Sequence, residues 1–427
     1  MGTNMNQRSL AFWTSIYPWF VFALSSSFLF YKYLLQVSPT VMSDELMRAF
    51  SLSGESLGNL AAFYFYAYLT MQLPVGLLLD HFSPKRLVAA AIGTCALGAL
   101  LFSKAQTLGV ADFGRLLIGI GGAFSAVGTM KLITLWFPPK RFALVSGLMM
   151  TVGMLGAVGG EAPLAHMVDG LGWRHTMFHT AIVGFVLAVC FWILVFDKKG
   201  SEASKSEPKK KIAFFSDIKQ IIKNQQSWLI SIYSGLAFAP ISAFAGLWGV
   251  PYIMEAYHLR KPEIAALVSL AFIGFAIGSP LAGWLSDRMQ RRKPIMITGT
   301  SFGLVFMSIV IYSNHFSTFA LGSLLFLFGF FTSFFFVSFA LMREINTSKA
   351  SGTSIGFINM FNAICGALSE PLIGKLLDLG WDHKMVDGAR VFSVSNYHHA
   401  LIALPISMLI ALLLQCFIRE TYCKPID

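Results

Sequence analysis

Long apolar runs are the feature that most constrains this chain. Runs of close to 20 residues recur along its 427 residues, and about 20 apolar residues are needed for a helix to cross the hydrocarbon core of a bilayer. Hydrophobic residues make up 56% of the chain and charged residues only 12%, whereas a soluble domain has about 25% charged residues. Because lipid cannot satisfy backbone polar groups, such runs must be helical. The sequence therefore predicts an all-α, multi-pass membrane protein.

Twelve such runs can be placed, six on each side of a lysine-rich polar stretch. They lie near 14–37, 57–79, 87–106, 109–133, 142–166, 175–196, 228–253, 263–285, 294–313, 316–342, 352–376 and 398–418. This order predicts a six-helix bundle over 1–196, a cytoplasmic linker over 197–227 and a second six-helix bundle over 228–427. Residues 212–222 of the linker are predicted to form an amphipathic helix on the inner leaflet.

The distribution of charge predicts the orientation. With a cytoplasmic N-terminus, 21 of the 32 Lys and Arg residues fall on the inner side and seven on the outer side. This asymmetry follows the positive-inside rule and predicts that both termini are cytoplasmic. The net charge of +11 is then a sign of topology, and no nucleic-acid partner is expected. The five cysteines have neither disulfide-like nor metal-like spacing, so no metal site is predicted.

One short motif occurs twice at an offset of 207 residues, each time at the end of an apolar span. Both copies contain a glycine, an aspartate and a closing basic pair: Gly76, Asp80, Lys85 and Arg86 in the first, and Gly283, Asp287, Arg288, Arg291 and Arg292 in the second. We predict that they form a conformational latch, since such an aspartate can meet a cation or a helix N-terminus only when the two halves are together. The alternative interpretation is that the basic residues of both copies only follow the positive-inside rule.

A second repeat supports the division into two halves. Glu161 in the fifth span and Glu370 in the eleventh have similar flanking residues, and each is followed by an aspartate and a Gly-Trp pair. These followers are Asp169 with Gly172 and Trp173, and Asp378 with Gly380 and Trp381. Duplicated membrane units are typical of transporters built from two related halves.

Together these residues resemble the major facilitator superfamily over essentially the whole chain. The first loop copy has His81 and Ser83 where that family usually has Arg and Gly, and the second has Gln290 in place of the glycine. The resemblance implies two pseudo-symmetric bundles that rock about a site near the membrane midplane. The stretch over the first two spans, with Tyr31-Lys32-Tyr33, Pro39, Gln72, Pro74 and Gly76, is similar to prokaryotic carriers related to the lysosomal dipeptide-transporting branch.

Ionisable residues inside the spans are the best candidates for function, because burying each costs about 2.5–3.5 kcal/mol. Lys32, Arg115 and Glu161 all fall in the N-terminal bundle. We predict that the basic pair binds an anionic group and that a carboxyl takes up a coupling proton. The alternative is a structural ion pair between Lys32 and Glu161. Glu370 is a weaker candidate for coupling, with a gate between the halves as its alternative role.

Aromatic residues of the second span supply further candidates. Tyr64 and Tyr68 are four residues apart and so share a helix face, which we predict borders the central cavity.

Gly352-Thr-Ser354-Ile-Gly356 matches a hydrolase nucleophile pattern, but it opens an apolar span, whereas that chemistry needs a strand-to-helix turn. The sequence therefore predicts no enzyme.

The sequence as a whole predicts a secondary active transporter in a bacterial inner membrane. Lys32 and Arg115 favour a small anionic or zwitterionic organic solute, such as an organic acid or a dipeptide, and coupling to protons. A monomer without cofactors is expected, with the bilayer and the solute as its partners. Two alternatives stay open: an exporter of metabolites or siderophore-like molecules, and a transport-inactive receptor or scaffold that uses the 197–227 loop.

Overall fold

The structure is a computed structural model that describes residues 16–138, 141–197, 219–313, 316–347 and 351–424. Sixteen α-helices account for most of these residues: α1 Tyr17–Val37, α2 Ser43–Phe50, α3 Gly54–His81, α4 Pro84–Lys104, α5 Leu108–Trp136, α6 Phe142–Gly159, α7 Ala162–Leu194, α8 Gln225–Pro240, α9 Gly249–Tyr257, α10 Lys261–Met289, α11 Lys293–Tyr312, α12 Thr318–Thr332, α13 Val337–Glu344, α14 Ser351–Leu379, α15 Val394–Leu401 and α16 Ala403–Gln415. A hairpin of β1 Met385–Val386 and β2 Ala389–Arg390 precedes α15.

The described helices confirm the predicted twelve-span, all-α fold. Nine helical stretches of the described residues are long and apolar enough to cross a membrane, and one of them, Val145–Leu194, holds two predicted spans. The long helices α3 and α14 supply the second and eleventh spans. We call the side where α1 begins and α16 ends the terminal face, and the opposite side, where α3 begins and α14 ends, the distal face.

Several helices begin at a serine that caps them. Ser53 accepts a hydrogen bond from the Ser56 N–H at the start of α3, and Ser317 does the same for Ala320 at the start of α12. A side-chain acceptor at this position satisfies one of the N–H groups that have no partner within the helix. These polar caps stabilise the first turns of the two helices.

Several described spans are not single regular α-helices, and the tenth contains a 3₁₀ turn over Ser333–Phe336. Gly172 has φ +78°, so α7 breaks there, and its two parts belong to the predicted fifth and sixth spans. In the seventh span the backbone is π-helical over Ile241–Trp248, between α8 and α9. This segment directly follows Pro240, which has no N–H to donate to an ordinary α-helical turn. Such wide turns commonly occur at functional sites, and this one borders a central cavity.

The two halves meet closely along α3 and α14. Near the distal face, a Cβ on Gly374 would lie 2.1 Å from the carbonyl oxygen of Gly54, and a Cβ on Gly58 would lie 2.4 Å from that of Glu370. Only glycine permits this approach, and small residues are the usual means of packing membrane helices closely. The contact brings the Glu370 backbone, on the second half, directly against the first half.

Candidate functional site

Lys32 on α1 is a buried cation surrounded by tyrosines. Its Nζ donates a 2.7 Å hydrogen bond to Gln36 Oε1 and lies 3.6 Å from the centre of the Tyr33 ring. The ring centres of Tyr68 and Tyr64 are 5.2 and 5.5 Å away. Within the described part of the chain, no carboxylate lies within ion-pairing distance of this ammonium, and Glu161 is not its partner.

Arg115 on α5 is committed to backbone carbonyls. Its guanidinium donates to the carbonyl oxygens of Leu35 at 2.7 Å, Gln36 at 3.2 Å and Ala61 at 3.0 Å. It also lies 5.5 Å from the Tyr64 ring centre. These bonds join the end of α1 to α3, and they fix the backbone at Gln36, the residue that contacts Lys32. The contacts give Arg115 the geometry of a positioning residue.

Tyr64 and Tyr68 stack with ring centres 5.8 Å apart beside Lys32. Tyr68 accepts a 3.2 Å hydrogen bond from Asn359 of α14, which also donates to Gln72 at 3.0 Å. The tyrosine face of α3 is therefore joined to the second half through Asn359. Neither Tyr64 nor Tyr68 is among the residues that line the central cavity described next.

A cavity between the two halves, together with the open solvent that it joins, has about 530 Å³ of empty space. Most of its wall is apolar and aromatic, with Phe65, Phe238, Phe272, Phe275 and Phe336 contributing rings. Its polar lining groups belong to Tyr33, Gln36, Ser242 and Glu370. Because Tyr33 and Gln36 contact Lys32 on one side and line the cavity on the other, the ammonium lies one side chain behind the cavity wall.

The two repeated carboxyls are buried, and each has oxygens without a hydrogen-bond partner among the described residues. Both oxygens of Glu161 lack one, and so does Oε2 of Glu370. Glu370 lines the cavity and interacts electrostatically with Arg115, whereas Glu161 does not line it. The carbonyl of Glu370 accepts a 3.1 Å hydrogen bond from Trp248 Nε1. Glu370 therefore lies where the cavity meets the contact between the halves.

The Major Facilitator Superfamily model matches residues 19–369 and again 230–422. The chain belongs to this superfamily. It is therefore a multi-pass membrane transporter and not an enzyme, and its bacterial relatives indicate the cell membrane.

Individual relatives are distant but align over most of the chain. The probable galactarate/D-glucarate transporter of Bacillus subtilis is 23% identical over 88% of this chain and 89% of its own length. The probable sulfoacetate transporter of Cupriavidus necator is 22% identical over 82% and 85%. A bacterial homologue of the human lysosomal transporter Spinster, solved in an inward-facing, unoccupied conformation, has a TM-score of 0.76 at 14% identity and covers 95% of this chain and 97% of its own. That likeness shows the shared fold.

The first copy of the superfamily loop motif lies where α3 ends and α4 begins. Gly76 has open space around it, and Asp80 is in the last turn of α3, with a side chain outside the described structure. Lys85 lies over the rings of Trp192 and Phe196, and Arg86 is exposed. Ser83, at the position where the family usually has glycine, donates a 2.7 Å hydrogen bond to Asp197.

The second copy is tied to its own half. Arg292 is buried and pairs with Asp287 at 2.5 Å and with Glu344 of α13 at 2.6 Å. The carboxylate of Glu420, past α16, accepts hydrogen bonds from the N–H groups of Arg292 and Lys293. Of the remaining motif residues, Gly283 has open space around it, Arg288 lies over the Trp284 ring and Arg291 over the Tyr422 ring.

Contacts on the distal face join the two halves. Asp378, at the end of α14, accepts 2.8 Å hydrogen bonds from the N–H groups of Gly54 and Glu55 at the start of α3. It also pairs with Arg390 of the hairpin at 2.9 Å. Lys261 of α10 pairs with Glu45 of α2 at 2.6 Å. The transporter is therefore closed on this face.

Sequence reasoning missed several of these residues. Gln36 is four residues after Lys32 and so on its helix face, a spacing that could have revealed it. Asn359 could have been noticed as an amide inside an apolar span. Phe272 gave no signal, because it is one of 40 phenylalanines and its place in the cavity depends on tertiary packing.

Proposed function

We propose that this transporter carries a small organic anion by alternating access, and that Lys32 binds the anionic group. The observation that carries this proposal is the buried ammonium of Lys32, which has no carboxylate partner in the described structure and lies just behind the cavity wall. The named substrates of the relatives, galactarate, D-glucarate and sulfoacetate, are all organic anions, which supports the same class of substrate here.

The surroundings of Lys32 leave room for an anion to complete its coordination. An ammonium has three N–H donors, and Gln36 accepts from one. Three tyrosine ring faces stabilise the charge by about 0.5–2 kcal/mol each, but a ring face does not accept an N–H hydrogen bond as an anionic oxygen does. A substrate carboxylate that replaces the Gln36 contact would neutralise the charge in a low-dielectric setting.

Alternating access requires the distal contacts to break. We propose that the bundles 1–196 and 228–427 rock against each other, with the terminal face in the cytoplasm and the Gly-x-x-x-Asp loops as latches on that side. Opening the distal face would separate Asp378 from α3 and Lys261 from Glu45. The described contacts are those of one end of this cycle.

Proton coupling fits Glu370 better than Glu161. A carboxylate charge buried without a partner is costly, and the cost is avoided when the group is protonated. Glu370 can exchange a proton with the cavity that it lines, whereas Glu161 does not line that cavity. Arg115 and Tyr66 are the groups that interact electrostatically with Glu370, and neither forms an ion pair with it.

Binding to the purified protein tests the role of Lys32. We expect thermal stabilisation by at least one of galactarate, sulfoacetate and phenylacetate, with about 10- to 150-fold weaker binding in Lys32→Gln, because a hydrogen bond to a charged group contributes about 1.5–3 kcal/mol. Lys375→Gln is the matched control, since Lys375 is an exposed lysine on a spanning helix. Stabilisation by organic cations alone, or equal anion binding in Lys32→Gln, would contradict the proposal.

A further inference from the structure

We infer that the transported anion is an aryl monocarboxylate, with one carboxylate for Lys32 and an apolar ring for the cavity, and that a polyhydroxylated diacid does not suit this site. The inference rests on the proposed function, since it assigns the rest of the molecule whose carboxylate Lys32 binds. It departs from the sugar diacids after which the relatives are named.

Phenylalanines from both halves line the cavity. Phe272 and Phe275 come from α10, Phe238 from α8, and Phe65 from α3 of the other half. Phe336 packs against Phe275 in an edge-on contact with ring centres 5.6 Å apart. Aromatic rings favour such edge-to-face and offset contacts, so an aryl group of the substrate can join this arrangement.

The polar groups of the cavity are too few for a sugar diacid. Galactarate carries four hydroxyl groups and two carboxylates, and each needs a hydrogen-bond partner when it leaves water. The cavity offers the polar groups of Tyr33, Gln36, Ser242 and Glu370. Facing phenylalanine, the other hydroxyls would have no protein partner and would exchange their bonds to water for apolar contacts wherever the cavity excludes solvent, which disfavours such a substrate.

Charge around the cavity also favours a monoanion. Lys32 lies behind Tyr33 and Gln36 on α1, while Glu370 is on α14. A carboxylate at Lys32 meets a cation, but a second carboxylate near Glu370 would meet a carboxyl group, and two such groups resist sharing a site when ionised. An aryl ring in that position adds no charge.

Competition between three carboxylates tests the inference on the full-length protein in detergent. Phenylacetate, galactarate and acetate are titrated against the native protein and against Phe272→Ala, with binding followed by thermal stabilisation. We expect phenylacetate to bind at least tenfold more tightly than galactarate. Phe272→Ala should weaken phenylacetate at least tenfold and leave acetate unchanged, because acetate uses only the carboxylate site.

Phe319→Ala is the control for loss of a phenyl ring, since Phe319 is 86% exposed on α12 and should not affect any of the three. If Phe272→Ala does not fold, Phe272→Leu keeps an apolar side chain and removes only the ring. Binding of galactarate that depends on Lys32, with no binding of phenylacetate, would overturn this inference and leave the proposed function standing. Absence of binding by all three carboxylates, and by sulfoacetate as well, would overturn both.

Discussion

At the scale of single residues, Arg115 differs most in its surroundings from what the sequence suggested. The sequence placed it with Lys32 as an anion-binding pair, but in the structure it holds the carbonyl oxygens of Leu35, Gln36 and Ala61. Nothing in a linear sequence tells a substrate-binding arginine from one that joins two helices. The distinction depends on which carbonyls the fold brings within reach.

Arg115→Lys is expected to destabilise the protein while keeping its charge. A lysine ammonium is a compact charge without the planar fork of a guanidinium, so it cannot reach the carbonyls of two helices in the same geometry. The loss of one or more charged hydrogen bonds predicts destabilisation by about 2 kcal/mol or more, measured as a lower melting temperature in detergent. An unchanged melting temperature together with lost anion binding would instead show that Arg115 contacts the substrate.

Glu370→Gln is expected to separate transport from proton coupling. The amide keeps the shape of the side chain but cannot take up a proton, so accumulation driven by a pH gradient should be lost while exchange between substrate pools continues. Both are measured as radiolabel uptake in proteoliposomes. Glu161→Gln is the comparison from the other half. Gradient-driven accumulation that persists in Glu370→Gln would rule out this carboxyl as the coupling site.

Glu420 lies outside the membrane-spanning segments, and its carboxyl group gives a prediction about how the stability of the protein depends on pH. Burial raises the pKa of Glu420, but the backbone N–H groups of Arg292, Lys293, Tyr422 and Thr421 outweigh it and leave that pKa below its usual value. A lowered folded-state pKa stabilises the protein above the unfolded value of about 4.3, and the benefit is lost as pH falls through the folded-state pKa.

Glu420→Gln should therefore lower the melting temperature at pH 7, with a smaller effect near pH 4. Melting curves of native and variant protein at both pH values measure this difference. A gap that does not narrow on acidification would indicate that the charge of Glu420 adds nothing to stability.

At the scale of helices, Asp378 lies at the end of α14 and belongs to the second repeat. Its position lets it bind the start of a helix in the other half. It caps α3 of the opposite half, where a carboxylate also interacts favourably with the helix dipole. Its repeat partner, Asp169, is exposed near the end of the first part of α7. Asp378 bonds the other half when the distal face is closed, whereas Asp169 is exposed, so Asp169 is a suitable control for Asp378.

Asp378→Asn is expected to open the distal face more often, because a neutral amide is a weaker cap and a weaker partner for Arg390. Spin labels are placed at the exposed positions 51 and 382, in a background without accessible cysteines. Double electron–electron resonance then reports opening as a longer distance between the two labels. Asp169→Asn should leave the distances unchanged. Identical distributions in all three proteins would show that Asp378 does not hold the gate.

The spans themselves could be predicted from apolar length, since lipid leaves helices as the solution for each run. Irregular backbone segments within the spans could not be predicted in this way. The π-helical segment after Pro240 places Ser242 and Gly246 on the cavity, but the sequence predicts only one apolar span there. Whether a proline breaks, kinks or widens a helix depends on the neighbours that satisfy the released carbonyl groups.

At the scale of the whole molecule, the two-half architecture was predictable because both repeats are visible in the sequence. The burial of Lys32 was also predictable, since a lysine in an apolar span stands out by its cost. The cavity was not, because its lining comes from both halves, with Phe65 of the first and Phe272 of the second among its residues. Periodicity describes one helix at a time and cannot predict such pairs between halves.

Counterflow in proteoliposomes tests the central claim most directly. Vesicles are loaded with an unlabelled anion, galactarate or phenylacetate, and the transient accumulation of its labelled form is followed. We predict accumulation by the native protein and by Lys375→Gln, with a loss of tenfold or more in Lys32→Gln, in line with a charged hydrogen bond of about 1.5–3 kcal/mol. No accumulation of either anion, or native rates in Lys32→Gln, would contradict the account.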